Sequence, residues 1–246
     1  MTQSSTVITD DTLLGGRVKI RQPADGYRVA LDPVLLAAAV QAKAGDRLID
    51  AGCGTGAAMF CVAARIPGVD ITGLEIQPAL AELAQQGIVL NGLGARARVM
   101  TGDLALLSDV VCARSFDTVM TNPPFVADGT APPNASVATA HRESDLGLAG
   151  WIEQCLKLIG NGGRIVVIHR ADRLSELLTA LHRSCGDIRI LPIAPRAGEP
   201  AKRVIVDAGK GRKSPDILLP ALVLHEKDGR FTPAAEAIFA GAAPLV

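Results

Sequence analysis

Short apolar runs alternate with helical patterns along most of this chain. From residue 46 onward, a β-like run is followed by a turn and then by apolar residues at helical spacing. Strands are predicted over 47–51, 69–75, 97–100, 116–120, 163–169, 187–194 and 202–208. Helices are predicted over 57–65, 78–90, 145–159 and 171–184. This alternation is typical of βαβ units, so the sequence predicts an α/β fold: a mostly parallel sheet with helices on both faces.

The pattern differs near the two ends of the chain. Residues 13–22 predict a short strand pair or the end of a strand. Asp32-Pro33 places a good N-cap before proline at the first helical position, so a helix should follow. The last two predicted strands suit an antiparallel hairpin. We expect one domain over 1–246, with an N-terminal addition at 1–44 and a catalytic core with a C-terminal extension at 45–246.

Composition narrows the class of protein. A hydrophobic fraction of 48% over 246 residues is enough for one sizeable core. Basic and acidic residues balance at 25 each, so a nucleic acid would have to be bound by a local patch. The five cysteines are scattered without a C-x-x-C pair, so no metal site is predicted. With no leader and no long apolar run, we expect a cytoplasmic protein that does not enter membranes, by default a monomer.

A glycine-rich turn follows the strand predicted at 47–51. Gly52, Gly54 and Gly56 lie between that strand and the next helix, where glycine lets the backbone approach a ligand closely. This pattern predicts a nucleoside cofactor. The residues at 52–57 also satisfy the loose dinucleotide fingerprint, with Glu75 at a spacing that suits a ribose. The loop alone therefore leaves the identity of the cofactor open.

Three carboxylates stand at or just after the ends of the first three core strands. Asp50 would repel a pyrophosphate but could hold the ammonium group of a methionine moiety. Glu75 could accept hydrogen bonds from both ribose hydroxyls, and Asp103 could accept one from an adenine amine. Together they favour S-adenosylmethionine over a dinucleotide, in a pocket at the carboxyl edge of the sheet. The alternative is that each acid only stabilises a turn or caps a helix.

The fourth core strand ends in Asn122-Pro123-Pro124-Phe125. Proline fixes its own φ and restricts the residue before it, so this turn is rigid. The Asn122 side-chain oxygen and the Pro123 carbonyl could each accept one N–H of an exocyclic amine and direct its lone pair at a methyl group. Phe125 could stack on a planar substrate such as a flipped base. These four residues are predicted to be catalytic; alternatively, the prolines mark only a turn.

With these motifs, the chain resembles the class I S-adenosylmethionine methyltransferases that carry an N-P-P-[FY] motif. It is similar in particular to the family of tRNA1(Val) adenine-N6-methyltransferases, and this likeness extends beyond the core to 26–40, 145–181 and 195–239. The resemblance implies a seven-stranded Rossmann-like sheet with its last strand antiparallel. It also implies methylation of an adenosine in a tRNA anticodon loop, with S-adenosylhomocysteine as product. By the same resemblance, Arg28 and Asp32 lie near the methionine end of the cofactor, and Asn122 contacts the cofactor.

An RNA substrate would need a basic surface and space to enter. Six basic residues are the predicted patch: Arg196, Lys202, Arg203, Lys210, Arg212 and Lys213. They could neutralise phosphates, although such a cluster is also typical of a solvated face. Residues 126–144 form a long segment without periodicity, which predicts a functional or disordered loop next to the tetrapeptide.

Several acceptors remain possible on the residues alone. A guanine exocyclic amine in ribosomal RNA and a glutamine amide in a protein would suit the same amine-binding motif. A nicotinamide-dependent oxidoreductase and a cofactor-binding module without catalysis are the alternatives from other classes.

Overall fold

The computed structural model describes residues 7–25, 29–109, 114–124, 146–241 and 243–245. Two antiparallel strands come first, β1 (Ile8–Leu13) and β2 (Val18–Pro23). The other strands are β3 (Arg47–Ala51), β4 (Asp70–Glu75), β5 (Ala97–Thr101), β6 (Phe116–Thr121), β7 (Ile159–Arg170), β8 (Cys185–Arg196), β9 (Arg203–Lys210), β10 (Ile217–Leu218) and β11 (Leu222–His225). The helices are α1 (Asp32–Ala39), α2 (Ala57–Arg65), α3 (Pro78–Leu90), α4 (Gly147–Leu158), α5 (Leu174–Leu181) and α6 (Pro233–Phe239).

Strands β3 to β11 form one sheet whose main order is β5-β4-β3-β6-β7-β9-β8. The strands β3 to β7 pair in parallel, whereas β9 is antiparallel to both of its neighbours, β7 and β8. The expected antiparallel last strand is therefore present. The count of seven was too low, because the short strands β10 and β11 extend the outer edge by pairing one after the other with β8.

Helices cover both faces of this sheet, as the alternating pattern predicts. On one face, the buried core includes Leu35 of α1, Phe60 of α2 and Ile88 of α3. On the other face, it includes Ile152 of α4 and Leu177 of α5. The described helices include none long and apolar enough to span a membrane.

The predicted N-cap of α1 is wrong. Asp32 is the first residue inside the helix, its side chain makes no capping hydrogen bond, and Leu31 occupies the cap position. The Asp32 carboxylate instead accepts a hydrogen bond from Arg203 Nε at 2.9 Å. The Asp32 side chain therefore pairs with a residue 171 positions away in the chain and not with the amides of its own helix.

Candidate active site

Four of the predicted site residues lie at one edge of the sheet. Asp50 and Glu75 lie at the carboxyl ends of β3 and β4, and Asp103 follows the end of β5. Asn122 follows β6, which is the neighbour of β3 on its other side. Adjacent strands are about 4.8 Å apart, so these side chains span neighbouring positions along the edge. The position matches the usual ligand site of open α/β sheets.

The glycine loop has a backbone that other residues adopt only with strain. Gly52, Gly54 and Gly56 have φ angles of +77°, +56° and +89°. Packing adds a second restriction at Gly56, where a Cβ would lie 2.6 Å from the Phe60 ring. Helix α2 begins directly after Gly56, so the backbone amides of the loop and the N-terminus of the helix lie next to each other.

Glu75 holds this loop in place. Its Oε2 accepts a hydrogen bond from the Gly54 amide at 2.8 Å, and its Oε1 accepts one from the Gln77 amide at 2.9 Å. Burial raises the pKa of Glu75, while hydrogen bonds from backbone amides oppose that rise. The carboxylate is thus part of the loop's own structure. Each oxygen has a second lone pair that is available to a ligand hydroxyl.

Asp50 is buried below the glycine loop with a solvent-exposed fraction of only 2%. Its Oδ2 has no hydrogen-bond partner among the described residues. The pKa of Asp50 is raised to about 7, mainly by burial and to a smaller extent by the nearby Glu75 carboxylate, while a hydrogen bond from the Met59 amide opposes the rise. An unpartnered buried carboxylate oxygen is costly, and a cationic ligand group would remove that cost.

Asp103 serves at least in part as a capping residue. Its Oδ1 accepts a hydrogen bond from the Ala105 amide at 2.8 Å, at the start of a 3-10 helix over Leu104–Asp109. The alternative that a strand-end acid only caps a helix or stabilises a turn therefore holds for one oxygen of Asp103. The side chain is half-buried at the edge where the other acids lie.

Asn122 also has an unpartnered acceptor. Its Oδ1 is buried and has no hydrogen-bond partner within the described ranges, and the following Pro123 is buried. The predicted roles of Phe125 and Arg28 and the predicted loop at 126–144 lie outside the described residues.

Trp151 contacts both the glycine loop and the strand end before Asn122, and the sequence did not predict these contacts. Its Nε1–H donates to Thr121 Oγ1 at 2.9 Å, and its ring lies against Gly52. Helical spacing indicates only that Trp151 lies on the apolar face of its helix. The side chain is half-buried and lies at the carboxyl edge.

The structure divides the predicted basic patch into two groups. Arg196 ends β8 and Lys202 and Arg203 lie at the start of β9, at the same edge as Asn122. Lys210 ends β9, seven steps along the strand from Arg203, which is a distance of roughly 24 Å. The remaining two residues of the predicted patch, Arg212 and Lys213, lie beside the amino end of β8 together with Lys210.

Three of these side chains also have partners within the protein, and one is Arg196, whose Nη1 lies 3.6 Å from Glu199 Oε1. The Arg203 guanidinium donates to Asp32, and Lys210 Nζ donates to the carbonyl oxygens of Leu156 and Ile159 at 2.6 and 2.8 Å. A single patch of six is therefore wrong, since a β-hairpin places residues that are close in sequence at opposite ends of a strand.

Comparison with known proteins identifies the class. A family model described as the methyltransferase small domain matches residues 31–185. The chain therefore belongs to this methyltransferase family. This assignment excludes the oxidoreductase alternative for the glycine loop.

Relatives match along most of the chain. It is 27% identical over 226 residues to a tRNA1(Val) (adenine(37)-N6)-methyltransferase of Porphyromonas gingivalis, covering 88% of this chain and 89% of the relative. A protein of the same name from Trichodesmium erythraeum is 26% identical, covering 87% of this chain and 90% of the relative. A solved structure described as a predicted O-methyltransferase, from Agrobacterium tumefaciens, superposes with a TM-score of 0.73. It is 28% identical, and the match covers 87% of this chain and 97% of that chain.

Membership of this methyltransferase family and the named relatives also identify the methyl donor. More distant solved structures share the fold: one described as a class I S-adenosylmethionine-dependent methyltransferase, from Listeria monocytogenes, superposes with a TM-score of 0.56 at 17% identity over 77% of this chain and 62% of that one. The present chain is an S-adenosylmethionine-dependent methyltransferase. The unpartnered oxygen of Asp50 beside the glycine loop fits the ammonium group at the methionine end of this cofactor.

Proposed function

We propose that this protein methylates the N6 amine of an adenine in tRNA. The observation that carries the proposal is the buried Oδ1 of Asn122, which has no partner among the described residues and lies next to the cofactor loop. Buried polar atoms are almost always hydrogen-bonded, so this acceptor is suited to a substrate N–H. The names of the relatives, which specify adenine in tRNA, support a nucleobase amine as that substrate.

Two acceptors in the tetrapeptide would hold the amine. The Asn122 side-chain oxygen and the Pro123 carbonyl oxygen each accept one N–H, which turns the nitrogen lone pair away from the base ring. Bound S-adenosylmethionine supplies an electrophilic methyl group on a sulfonium centre. The tetrapeptide contributes positioning and electrostatic stabilisation, and the proton that the amine loses after transfer passes to water.

The residues around the glycine loop would hold the cofactor. We assign the ammonium group to Asp50, the ribose hydroxyls to Glu75 and the adenine amine to Asp103. Gly52, Gly54 and Gly56 allow the backbone to approach the ligand. For Glu75 this role is additional to its two hydrogen bonds with backbone amides.

The RNA would approach along the carboxyl edge of the sheet. Arg196 and Lys202 lie at this edge with exposed side chains, beside Arg203. Arg170, the last residue of β7, and Arg173, three residues further on, extend the same basic edge although each is paired with a nearby acid. Cations here would contact phosphates while a base enters the site.

Methylation assays with tRNA and nucleoside mass spectrometry test this function. The purified protein is incubated with labelled S-adenosylmethionine and with unmodified tRNA, ribosomal RNA or protein extract, and the product is digested and identified. We expect N6-methyladenosine from tRNA, and an Asn122→Ala variant should form it about 10²–10³-fold more slowly. Methylguanine from ribosomal RNA, methylglutamine from protein, or an O-methylated product in place of N6-methyladenosine would overturn the proposal.

A further inference from the structure

The two loops of the site leave the sheet side by side. Ala51, the last residue of β3, is the register partner of Thr121, the last residue of β6. The glycine loop starts at the next residue of one strand, and Asn122 is the next residue of the other. A small shift between the two strand ends would therefore change the separation of the cofactor loop and the amine-binding residues.

The hydroxyl of Thr121 bridges these strand ends. The residue is fully buried, and its Oγ1 donates to the Ala51 carbonyl oxygen at 2.8 Å. The same oxygen accepts the Nε1–H of Trp151 at 2.9 Å. A threonine hydroxyl has one proton to donate, so the indole N–H fixes which way that proton points.

The indole ring also contacts the first residue of the glycine loop. A Cβ at Gly52 would lie 3.2 Å from Cζ2 and 3.4 Å from Cη2 of Trp151. Because Gly52 also has a φ of +77°, only glycine satisfies both the backbone and the ring. One side chain thus contacts the cofactor loop and the residue immediately before Asn122.

The position of the indole is itself well supported. Trp151 belongs to α4, whose buried side chains Leu148, Ile152 and Cys155 pack in the core on that face of the sheet. Side chains packed at interior density have little freedom to move. Helix α4 can therefore act as a fixed support for the two loops.

We propose that Trp151 is a positioning residue, which sets the distance between the glycine loop and Asn122 through the hydroxyl of Thr121. This inference rests on the proposed role of Asn122 in holding the amine. Trp151 need not touch the reacting atoms. Its effect is to hold the loop after β3 and the residues after β6 in the relative position that methyl transfer requires.

Substitutions at either end of the Trp151–Thr121 hydrogen bond test the proposal. Trp151→Phe keeps an aromatic ring but removes the N–H, and Thr121→Val removes the hydroxyl. Each variant should lower kcat by about ten- to hundredfold, since a displacement of about 1 Å is enough for such losses. The KM for S-adenosylmethionine should stay within about threefold, because the cofactor contacts remain.

Two further variants separate positioning from general stability. Thr121→Ser retains the hydroxyl and should restore kcat to near the wild-type value. Thr118→Val is the matched control, since Thr118 is a buried threonine of the same strand away from the edge. We expect Thr118→Val to shift the midpoint of thermal unfolding about as much as Thr121→Val while leaving kcat unchanged.

A double variant tests whether the two residues act together. Combining Trp151→Phe with Thr121→Val should lower kcat no further than Thr121→Val alone, because both substitutions break the same hydrogen bond.

Amide hydrogen exchange, measured without any acceptor, keeps this inference separate from the proposed function. Exchange at Gly52, Thr121 and Asn122 should accelerate in Trp151→Phe and Thr121→Val but not in Thr118→Val. If the wild-type protein fails to methylate tRNA but this exchange pattern appears, the proposed substrate is wrong and the role of Trp151 stands. If the wild type methylates tRNA and Trp151→Phe keeps its kcat within about twofold, the role of Trp151 is wrong. Equal losses of kcat in Thr118→Val and Thr121→Val would also overturn it.

Discussion

Glu75 accepts a hydrogen bond from the backbone amide of Gly54, with 2.8 Å between Oε2 and the nitrogen. The other carboxylate oxygen accepts from the Gln77 amide, so the side chain links the end of β4 to the glycine loop that follows β3. A residue expected to bind a ribose thus also shapes the backbone around the ligand.

Replacing Glu75 should therefore weaken both the fold and the cofactor site. Glu75→Ala leaves two amides without their acceptor, at a cost of about 1–3 kcal/mol for each group that stays buried. We expect a lower midpoint of thermal unfolding and at least a tenfold loss of affinity for S-adenosylhomocysteine, measured by calorimetry. Glu75→Gln keeps one acceptor oxygen, so its unfolding midpoint and its affinity should lie between those of the wild type and of Glu75→Ala. The exposed Glu153→Ala on α4 is the control and should match the wild type.

The sequence was most informative where local signals determine the structure. Helix α2 and helix α3 begin and end where expected, because Gly56 precedes the first and Pro78 opens the second. The predicted strand at 163–169 was too short, since β7 begins at Ile159, and its pairing with β6 is irregular near Phe116. No periodic pattern signals such an irregularity.

The candidate site was predictable to the extent that it lies at strand ends. Parallel strands bring their carboxyl ends to one edge, so Asp50, Glu75 and Asn122 could be placed together without coordinates. The contact of Trp151 with Thr121 could not, since helical spacing indicates which face is buried but not which residue on another element it meets. The two-sided arrangement of the basic residues was predictable, because the predicted strand at 202–208 already separates Lys202 and Arg203 from Lys210.

Alanine substitutions at two glycines of the cofactor loop distinguish the cost of backbone strain from the cost of a steric clash. Both Gly54 and Gly56 have positive φ, but a Cβ at Gly54 meets no atom of the described residues within 4 Å, whereas one at Gly56 would overlap the Phe60 ring. Gly54→Ala should cost about 1 kcal/mol in the free energy of unfolding. Gly56→Ala should cost about 1–3 kcal/mol more, because the ring must move. Chemical denaturation of both variants measures the difference, and equal losses would show that Phe60 yields easily.

Asp50 makes stability depend on pH in an unusual direction for an acid. Its folded-state pKa of about 7 lies above its ordinary value of 3.8, so between these values the folded protein holds a proton that the unfolded chain releases. The contribution of this group to the free energy of unfolding therefore falls as pH rises from about 4 to about 7, and then stays constant. Asp50→Asn should remove this part of the pH dependence in denaturation experiments.

The same proton should couple to cofactor binding. A ligand ammonium beside the carboxylate favours the ionised form, so binding should release a proton and tighten as pH rises from 6 to 8. Calorimetry with S-adenosylhomocysteine in buffers of different ionisation enthalpy measures that release. Asp50→Asn should bind more weakly and with a flatter pH dependence, whereas Asp70→Asn, at the opposite end of the neighbouring strand, should behave as wild type. An unchanged pH slope in Asp50→Asn would assign the proton to another group.

The division of the basic residues predicts which of them contact RNA. The pair Arg196→Gln and Lys202→Gln removes charge at the edge that carries Asn122, and the pair Arg212→Gln and Lys213→Gln removes equal charge at the opposite edge. Only the first pair should weaken tRNA binding and reduce the slope of log affinity against log salt, by about 1.5–2 for two lost phosphate contacts. Filter binding at several salt concentrations tests this, and equal effects of the two pairs would place the RNA elsewhere.

The role assigned to Asn122 gives the sharpest prediction for catalysis. Asn122→Ala removes the buried Oδ1, so the amine loses one of its two acceptors and its lone pair is no longer directed at the methyl group. We expect kcat to fall by about 10²–10³-fold, the loss seen when one preorganised electrostatic partner of a reacting group is removed. Affinity for S-adenosylhomocysteine should stay within about threefold, since the ligands assigned to the cofactor's polar groups lie on β3, β4 and the loop after β5. The exposed Asn161→Ala on β7 is the matched control and should retain full activity. An Asn122→Ala enzyme with near wild-type kcat would show that the amine is held by other residues.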